Sequence, residues 1–314
     1  MERAMDRREF LRTSGSIVAA AGLVTGASMD GLRADDAASA ASTGEHRGRI
    51  FKSIKFGMFN EKISYAEKFR LLKESGYDGV ELNSPGGEDK AEALAASREV
   101  GLPIHGVVDT IHWGTRLSDP SAEVRERAVA GLRTAIEEAH AIGGSAVLLV
   151  PGAVRDPAHE NQEQVQERSI AGIREVLPLA ARLGIHVLIE NVWNGFCYIH
   201  DGPDDQGAEK LAAYIDAIAS PWVGSYFDIG NHQKYGKPAE WIRTLGRRIV
   251  KLDVKDWGKS NGFCKIGDGD VDWKDVRKAL AEIRFTGWST AEVGGGDRER
   301  MREIAARMDR ALGL

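Results

Sequence analysis

From residue 54 onward the chain repeats one pattern eight times, a short β-type run followed by an amphipathic helical stretch. The runs cover residues 54–60, 79–83, 103–108, 146–151, 186–191, 223–228, 249–254 and 288–293. Parallel strands must be joined by crossovers of a dozen or more residues, usually helices, so strict alternation points to one parallel sheet under helices. Between the runs, Val124, Ala128, Leu132, Ala135, Ala139 and Ile142 recur at helical spacing, as do Ile170, Ile173, Leu177, Ala180 and Leu183. Ser64 with Glu67 reads as a capping box, and Pro238 suits the first turn of a helix. Eight such units in about 260 residues match the size of a single (β/α)8 TIM barrel. A doubly wound open sheet would need a Gly-rich nucleotide turn after its first strand, and Gly57-Met58-Phe59-Asn60 leads into none. The expected fold is therefore α/β, one TIM barrel over residues 53–314.

The segment before it reads as an address. Arg7-Arg8-Glu9-Phe10-Leu11-Arg12 is a twin-arginine pattern, followed by an apolar Gly/Ala-rich run over residues 14–25. That run falls short of the roughly 20 apolar residues a permanent span requires. Ala38-Ser39-Ala40 offers a small-x-small cleavage motif. Residues 1–40 thus resemble a Tat export signal, which implies the Tat machinery as a partner, a periplasmic or secreted location, and a cofactor acquired before export. Residues 41–52 are expected to form a flexible linker. With 42 basic and 47 acidic residues the net charge is −5, so no basic field exists to collect nucleic acid. Two cysteines exclude a disulfide framework or a thiolate zinc site. Cys197 and Cys264 follow strands five and seven, which are not neighbours.

Barrel chemistry sits at the carboxyl ends of the strands. Those ends read Asn60, Glu81 with Asn83, His105, Glu190 with Asn191, Asp228, Asp253 and Glu292. Four are carboxylates at the ends of strands five to eight, separated by 38, 25 and 39 residues, about one βα unit each. Four carboxylates in one cleft cannot all stay ionised without a positive partner, and one divalent metal ion is the simplest. Oxygen ligands suit Mg or Mn; a nearby imidazole would move the choice toward Mn, Co or Zn.

Ile189-Glu190-Asn191, Phe227-Asp228-Ile229-Gly230-Asn231, Leu252-Asp253-Val254-Lys255-Asp256, Gly267-Asp268-Gly269-Asp270-Val271-Asp272-Trp273 and Ala291-Glu292 resemble the sugar phosphate isomerase/epimerase superfamily. This xylose isomerase-like group includes ketose 3-epimerases, hydroxypyruvate isomerase and endonuclease IV, and the resemblance covers about residues 53–312. For the 3-epimerases it implies one metal held by Glu, Asp, His and Glu, with the glutamates exchanging the substrate proton. Carried over, Glu190 and Glu292 are the catalytic pair and Asp228 the aspartate ligand, while the histidine position holds Asp253. The group's Asp-x-x-His pattern also departs, with Asn231 three residues after Asp228 and His232 following.

The implied chemistry is proton transfer beside a carbonyl through an enediolate, giving a sugar isomerase or 3-epimerase. Two readings compete: a lyase or dehydratase on a keto-inositol or 3-keto-glycoside with the same metal site, and a non-catalytic carbohydrate-binding barrel. The expected partner is a small-molecule sugar or keto-sugar, with a homo-oligomer left open. Substrate-binding candidates are His105, His112, Trp113, Asn191, Asn231, His232 and Lys255. Trp193 reads equally as pocket wall or core. Gly294-Gly295-Gly296 reads as an ordinary loop more than a phosphate cradle.

Overall fold

The computed structural model describes residues 44–314; the twin-arginine segment and its cleavage motif lie outside the described residues. The strands are β1 (Ile50–Lys55), β2 (Gly79–Ser84), β3 (Ile104–Asp109), β4 (Ala146–Leu149), β5 (His186–Glu190), β6 (Val223–Asp228), β7 (Ile249–Val254), β8 (Asp256–Gly258), β9 (Gly262–Cys264) and β10 (Gly287–Ala291). Eight of them close a parallel barrel in the order β1-β10-β7-β6-β5-β4-β3-β2, while β8 and β9 form a small antiparallel hairpin beyond β7. The helices are α1 (Tyr65–Glu74), α2 (Lys90–Val100), α3 (Ala122–Ala141), α4 (Gln162–Leu183), α5 (Glu209–Ile218), α6 (Pro238–Leu245), α7 (Trp273–Glu282) and α8 (Arg298–Leu312). The eightfold alternation is thus a TIM barrel.

Local signals act as expected at several helix ends. Ser64 caps α1 by accepting from the Glu67 N–H at 3.2 Å, and Pro238 lies in the first turn of α6. The apolar stripes read for residues 124–142 and 170–183 fall on α3 and α4, whose buried faces join the main core between barrel and helices.

The first strand lies earlier than expected. It covers Ile50–Lys55, followed by a 3-10 turn at Phe56–Met58. Lys52 and Lys55 make this stretch look polar, yet both are used within the barrel. Lys52 is buried, donating to the Ala305 carbonyl at 3.4 Å and pairing with Asp309 of α8. Of the stretch expected as strand, 54–60, Ile54 and Lys55 end β1, and beyond them Phe59 makes one isolated parallel bridge to Gly296, with the Asn60 N–H on the Gly296 carbonyl at 2.8 Å. Residues 50–52 therefore belong to the barrel rather than to a linker. The N–H groups of Gly44 and His46 also dock on the Gly313 carbonyl, at 3.2 and 3.1 Å.

The barrel interior holds both apolar and polar groups. Ala146, Leu148, Leu188 and Tyr226 form an apolar cluster. Adjoining it lies a polar network centred on His105. Lys251 Nζ donates to His105 Nδ1 at 2.9 Å and to its carbonyl at 2.7 Å, while His105 Nε2 faces Ser53 Oγ at 2.7 Å. The ring stacks on Trp288 with centroids 4.5 Å apart. Burial and the Lys251 charge hold this imidazole well below its usual pKa, so it stays neutral. His105 was expected to meet the substrate. It is instead the second residue of β3 with its ring polar atoms engaged inside the barrel, because the strand runs on to Asp109.

Candidate metal centre and active site

Glu190 ends β5, Asp228 ends β6, Asp253 is the penultimate residue of β7, and Glu292 follows β10 directly. Parallel register around the barrel brings them together. One oxygen from each carboxylate can be chosen so that all four lie within 4.8 Å of one another. Three of the residues are buried, and the Glu292 side chain is 32% exposed. It opens onto a cavity of about 460 Å³ shared with Lys255, Phe263, Cys264, Val293 and Arg300. That volume lies in the range of small-molecule sites.

Two ammonium groups enter the acidic cluster. Lys255 Nζ lies 2.7 Å from Glu292 Oε2, 3.2 Å from Asp228 Oδ2 and 3.1 Å from Asn231 Oδ1. Lys255, expected to contact the substrate, turns its ammonium onto these carboxylates. Lys55 Nζ lies 3.2 Å from both Asp253 Oδ2 and Glu292 Oε1, and 3.9 Å from Glu81 Oε2. With the four carboxylates ionised, these two cations leave an excess of negative charge that a divalent ion would offset. The oxygens support that fit. Among the described residues Asp253 Oδ1 accepts no hydrogen bond, and Asp228 Oδ2 meets no donor besides the Lys255 ammonium. An all-carboxylate donor set of this kind suits a hard divalent cation. Among the described residues no imidazole belongs to it, and Asp253 stands where the resemblance implies a histidine.

The carboxyls feel opposed pulls. Burial, reinforced by the Glu292 charge, pushes Glu190 well above the usual range. Burial acts upward on Glu292 too, but the Lys55 and Lys255 ammonium groups outweigh it and hold that carboxyl down at about 2. Burial also raises Asp228, to about 6, against the pull of Lys255. Two facing glutamates driven apart in this way suit one proton donor and one proton acceptor.

The segment after β6 and the tip of β5 hold these carboxylates in place. Asn191 Oδ1 accepts the Asp228 N–H at 2.8 Å, and its Nδ2 donates to the Asp228 carbonyl at 2.9 Å and to His232 Nδ1 at 3.1 Å. The Asn231 N–H donates to Asp228 Oδ1 at 2.6 Å, while its side-chain Nδ2 donates to the Asn191 carbonyl at 2.9 Å and to Glu190 Oε1 at 3.4 Å. Gly230 must be glycine here, since a Cβ would sit 2.6 Å from the Lys255 carbonyl carbon. His232 is buried against Tyr198 and Trp241, with ring centroids 4.6 Å away in each case. Asn191, Asn231 and His232 were expected to bind substrate. In the structure the two Asn side chains and His232 Nδ1 are engaged in bracing the acidic cluster.

Asp256 has a separate task. Its carboxylate accepts from the Gly267 N–H at 2.8 Å and from Trp273 Nε1 at 2.9 Å. A Cβ on Gly269 would lie 2.1 Å from Asp256 Oδ1, so the Gly-Asp-Gly turn is the close wrap of a loop around that carboxylate.

His112 and Trp113 keep features suited to a ligand. His112 is buried and its Nδ1 accepts the Val150 N–H at 3.3 Å, which leaves the proton on Nε2; that atom has no partner among the described residues. Burial, with the nearby Lys55 charge, lowers this imidazole to about 3, so it is a neutral donor. Trp113 packs edge-on against it and is about half exposed. Trp193 donates its indole N–H to the Asn231 carbonyl and packs on Phe263, with centroids 4.9 Å apart. Lys55 and Glu81 were absent from the expected site. The misplaced first strand hid Lys55, whereas Glu81 was visible as a strand-end carboxylate.

A family profile described as a xylose isomerase-like TIM barrel matches residues 69–311. An L-ribulose-5-phosphate 3-epimerase of Escherichia coli is 25% identical over 288 residues, covering 83% of this chain and 98% of that protein. The solved structure of a D-allulose 3-epimerase from Methylomonas sp. in complex with D-allulose superimposes with a TM-score of 0.64 at 19% identity, covering 78% of this chain and 84% of that one. A 3-keto-D-glucoside 4-epimerase from E. coli gives 0.64 at 18% identity, with coverages of 84% and 98%. At these identities the two structural likenesses speak for the fold.

Proposed function

The chain belongs to the xylose isomerase-like TIM barrel family, and on that premise we propose that it is a divalent-metal-dependent sugar epimerase or isomerase of the 3-epimerase type. The observation that carries this reading is the pair Glu190 and Glu292, projecting from separate strands into one carboxylate cluster that opens on a substrate-sized cavity. The sugar 3-epimerase identity of the E. coli relative supports the reaction class.

Glu190, Asp228, Asp253 and Glu292 would hold the ion, and the oxygen-only donor set favours Mg or Mn over Zn or Co. When bound, the ion supplies electrostatic stabilisation for the negative charge that develops beside the substrate carbonyl. The protein's own groups move the proton. One glutamate takes the hydrogen from the carbon next to the carbonyl, and the C–H electron pair passes into the carbonyl to give an enediolate. The other glutamate returns a proton to the opposite face of that carbon for epimerisation, or to the neighbouring carbon for isomerisation. The unpartnered Nε2–H of His112 would donate to a substrate oxygen, and Trp113 would offer an apolar face to the sugar ring.

Residues 1–40 are proposed to direct twin-arginine export to the periplasm or beyond. Export argues for a free sugar or keto-sugar, since sugar phosphates are confined largely to the cytoplasm.

Screening free ketoses, keto-inositols and 3-keto-glycosides in deuterated water tests the proposal. The expected result is a product epimeric or isomeric to its substrate, carrying solvent deuterium at the exchanged carbon. Glu190→Gln and Glu292→Gln should each lose that exchange by at least 100-fold, with metal content measured in parallel. Full exchange in either variant removes that residue as a proton carrier. An eliminated or cleaved product replaces the epimerase with the lyase reading.

A further inference from the structure

The exchange of a neutral ligand for Asp253 should burden the centre with an extra negative charge, and the structure places Lys55 against that charge. Its ammonium reaches Asp253 Oδ2 and Glu292 Oε1 at 3.2 Å each, bridging two of the four oxygen-bearing side chains a cation would need. On its other side stands Glu81. This carboxylate is 1% exposed and is fixed through Oε1, which accepts from Tyr226 Oη at 3.0 Å. Tyr226 Oη is in turn held 2.7 Å from Thr290 Oγ1. Glu81 Oε2 has no hydrogen-bond donor among the described residues, and Lys55 Nζ lies 3.9 Å from it. A buried carboxylate oxygen without a donor is unfavourable. A lysine on a flexible four-carbon stem can close a gap of this size by rotamer adjustment alone.

We propose that Lys55 is a movable counter-charge for the metal centre, bridging Asp253 and Glu292 when no cation is bound and shifting onto Glu81 Oε2 when a divalent cation takes those carboxylates. The inference rests on the metal-centre reading above. Glu81 is then a docking point for the ammonium rather than a ligand or a proton carrier. The arrangement lets a four-carboxylate site persist in a barrel interior without metal. It also makes cation entry a displacement, so affinity is lower than the carboxylates alone would provide. Divalent ions can displace the ammonium because they engage all four side chains at once, whereas monovalent ions compete poorly.

The two partners of the switch predict opposite effects. Lys55→Met removes the competitor, so Mn²⁺ should bind at least about tenfold more tightly. Glu81→Gln removes the docking point, so Mn²⁺ should bind at least about tenfold more weakly. The double variant should resemble Lys55→Met, because Glu81 matters here only through the lysine. The assay is titration of metal-stripped full-length protein with Mn²⁺, followed by calorimetry and by the free Mn²⁺ paramagnetic resonance signal, with no turnover required. Cooperative thermal unfolding checks each variant, and Lys55→Gln stands in if the methionine variant does not fold. Unchanged or weaker binding on loss of the Lys55 charge overturns the proposal, as does unchanged binding in Glu81→Gln. Failure of the unaltered protein to bind Mn²⁺ overturns the metal-centre reading itself, and this inference with it.

Discussion

Asn191 follows the strand-five glutamate in a sugar-site motif, and a substrate role is the natural expectation for its amide. The structure argues for a different one that can be measured. Its side chain is buried and makes three hydrogen bonds, two to the peptide groups of Asp228 and one to His232 Nδ1. A net contribution of about 1 kcal/mol per bond gives about 3 kcal/mol for Asn191→Ala, and groups left unpaired in the interior raise this toward about 5 kcal/mol. That is a large share of the roughly 5–15 kcal/mol by which ordinary domains are stable. Urea unfolding followed by far-ultraviolet circular dichroism reads it as a fall in midpoint at unchanged slope. The same variant should bind metal less well, because Asp228 loses the clamp on both its backbone groups. Asn191→Asp keeps the acceptor for the Asp228 N–H but puts an oxygen against the Asp228 carbonyl, so it should be no more stable than the alanine variant at neutral pH. A substrate ligand would behave otherwise. A stability loss below about 1 kcal/mol together with a raised KM would refute the structural assignment.

Two further outcomes test other parts of the molecule. Asp109 ends β3 in a buried position with one donor among the described residues, the Ile111 N–H at 3.2 Å, and burial pushes its carboxyl up to about 7 from 3.8. Between those values the unfolded chain has lost a proton that the native chain keeps, so stability falls as pH rises through the window and the penalty is complete above about pH 7. Asp109→Asn should therefore gain about 2–4 kcal/mol at pH 8 and little at pH 4 in urea unfolding, and an equal gain at both would refute burial as the cause. For the leader, a reporter fused after residue 40 should reach the periplasm through the Tat route and stay inside when Arg7→Lys and Arg8→Lys are combined. Export that survives this double change would dismiss the twin-arginine reading.

The barrel and its acidic centre were legible because they rest on periodic and positional rules. Apolar runs alternating with helical stripes fix the topology, and carboxylates at strand ends converge because parallel strands share one carboxyl face. What stayed hidden depends on which partner a polar group finds. Nothing in the residues around His105 announces that Lys251, four strands away around the barrel, will occupy its Nδ1. Asn191, Asn231 and His232 carry groups equally able to meet a sugar or a peptide, and the tight turn after β6 decides for the peptide.

The missed lysine has a more specific cause. Strands are recognised by apolar or alternating runs, and Ile50-Phe51-Lys52-Ser53-Ile54-Lys55 is broken by two cations. Each cation is tolerated in the barrel for a separate reason: Lys52 reaches Asp309 on the helix side, whereas Lys55 enters the carboxylate cluster. The residues that obscured the strand therefore include one that completes the site. This bears on the choice of ligand. An extra carboxylate at position 253 would by itself raise the repulsion among buried acids, and Lys55 at 3.2 Å offsets it while leaving the cluster an excess of negative charge. Asp253 and Lys55 act as a pair, so a change at either should be read against the other. Asp253→His alone would free Lys55 of one partner, and its effect on metal binding should be smaller in a Lys55→Met background than in the unaltered protein.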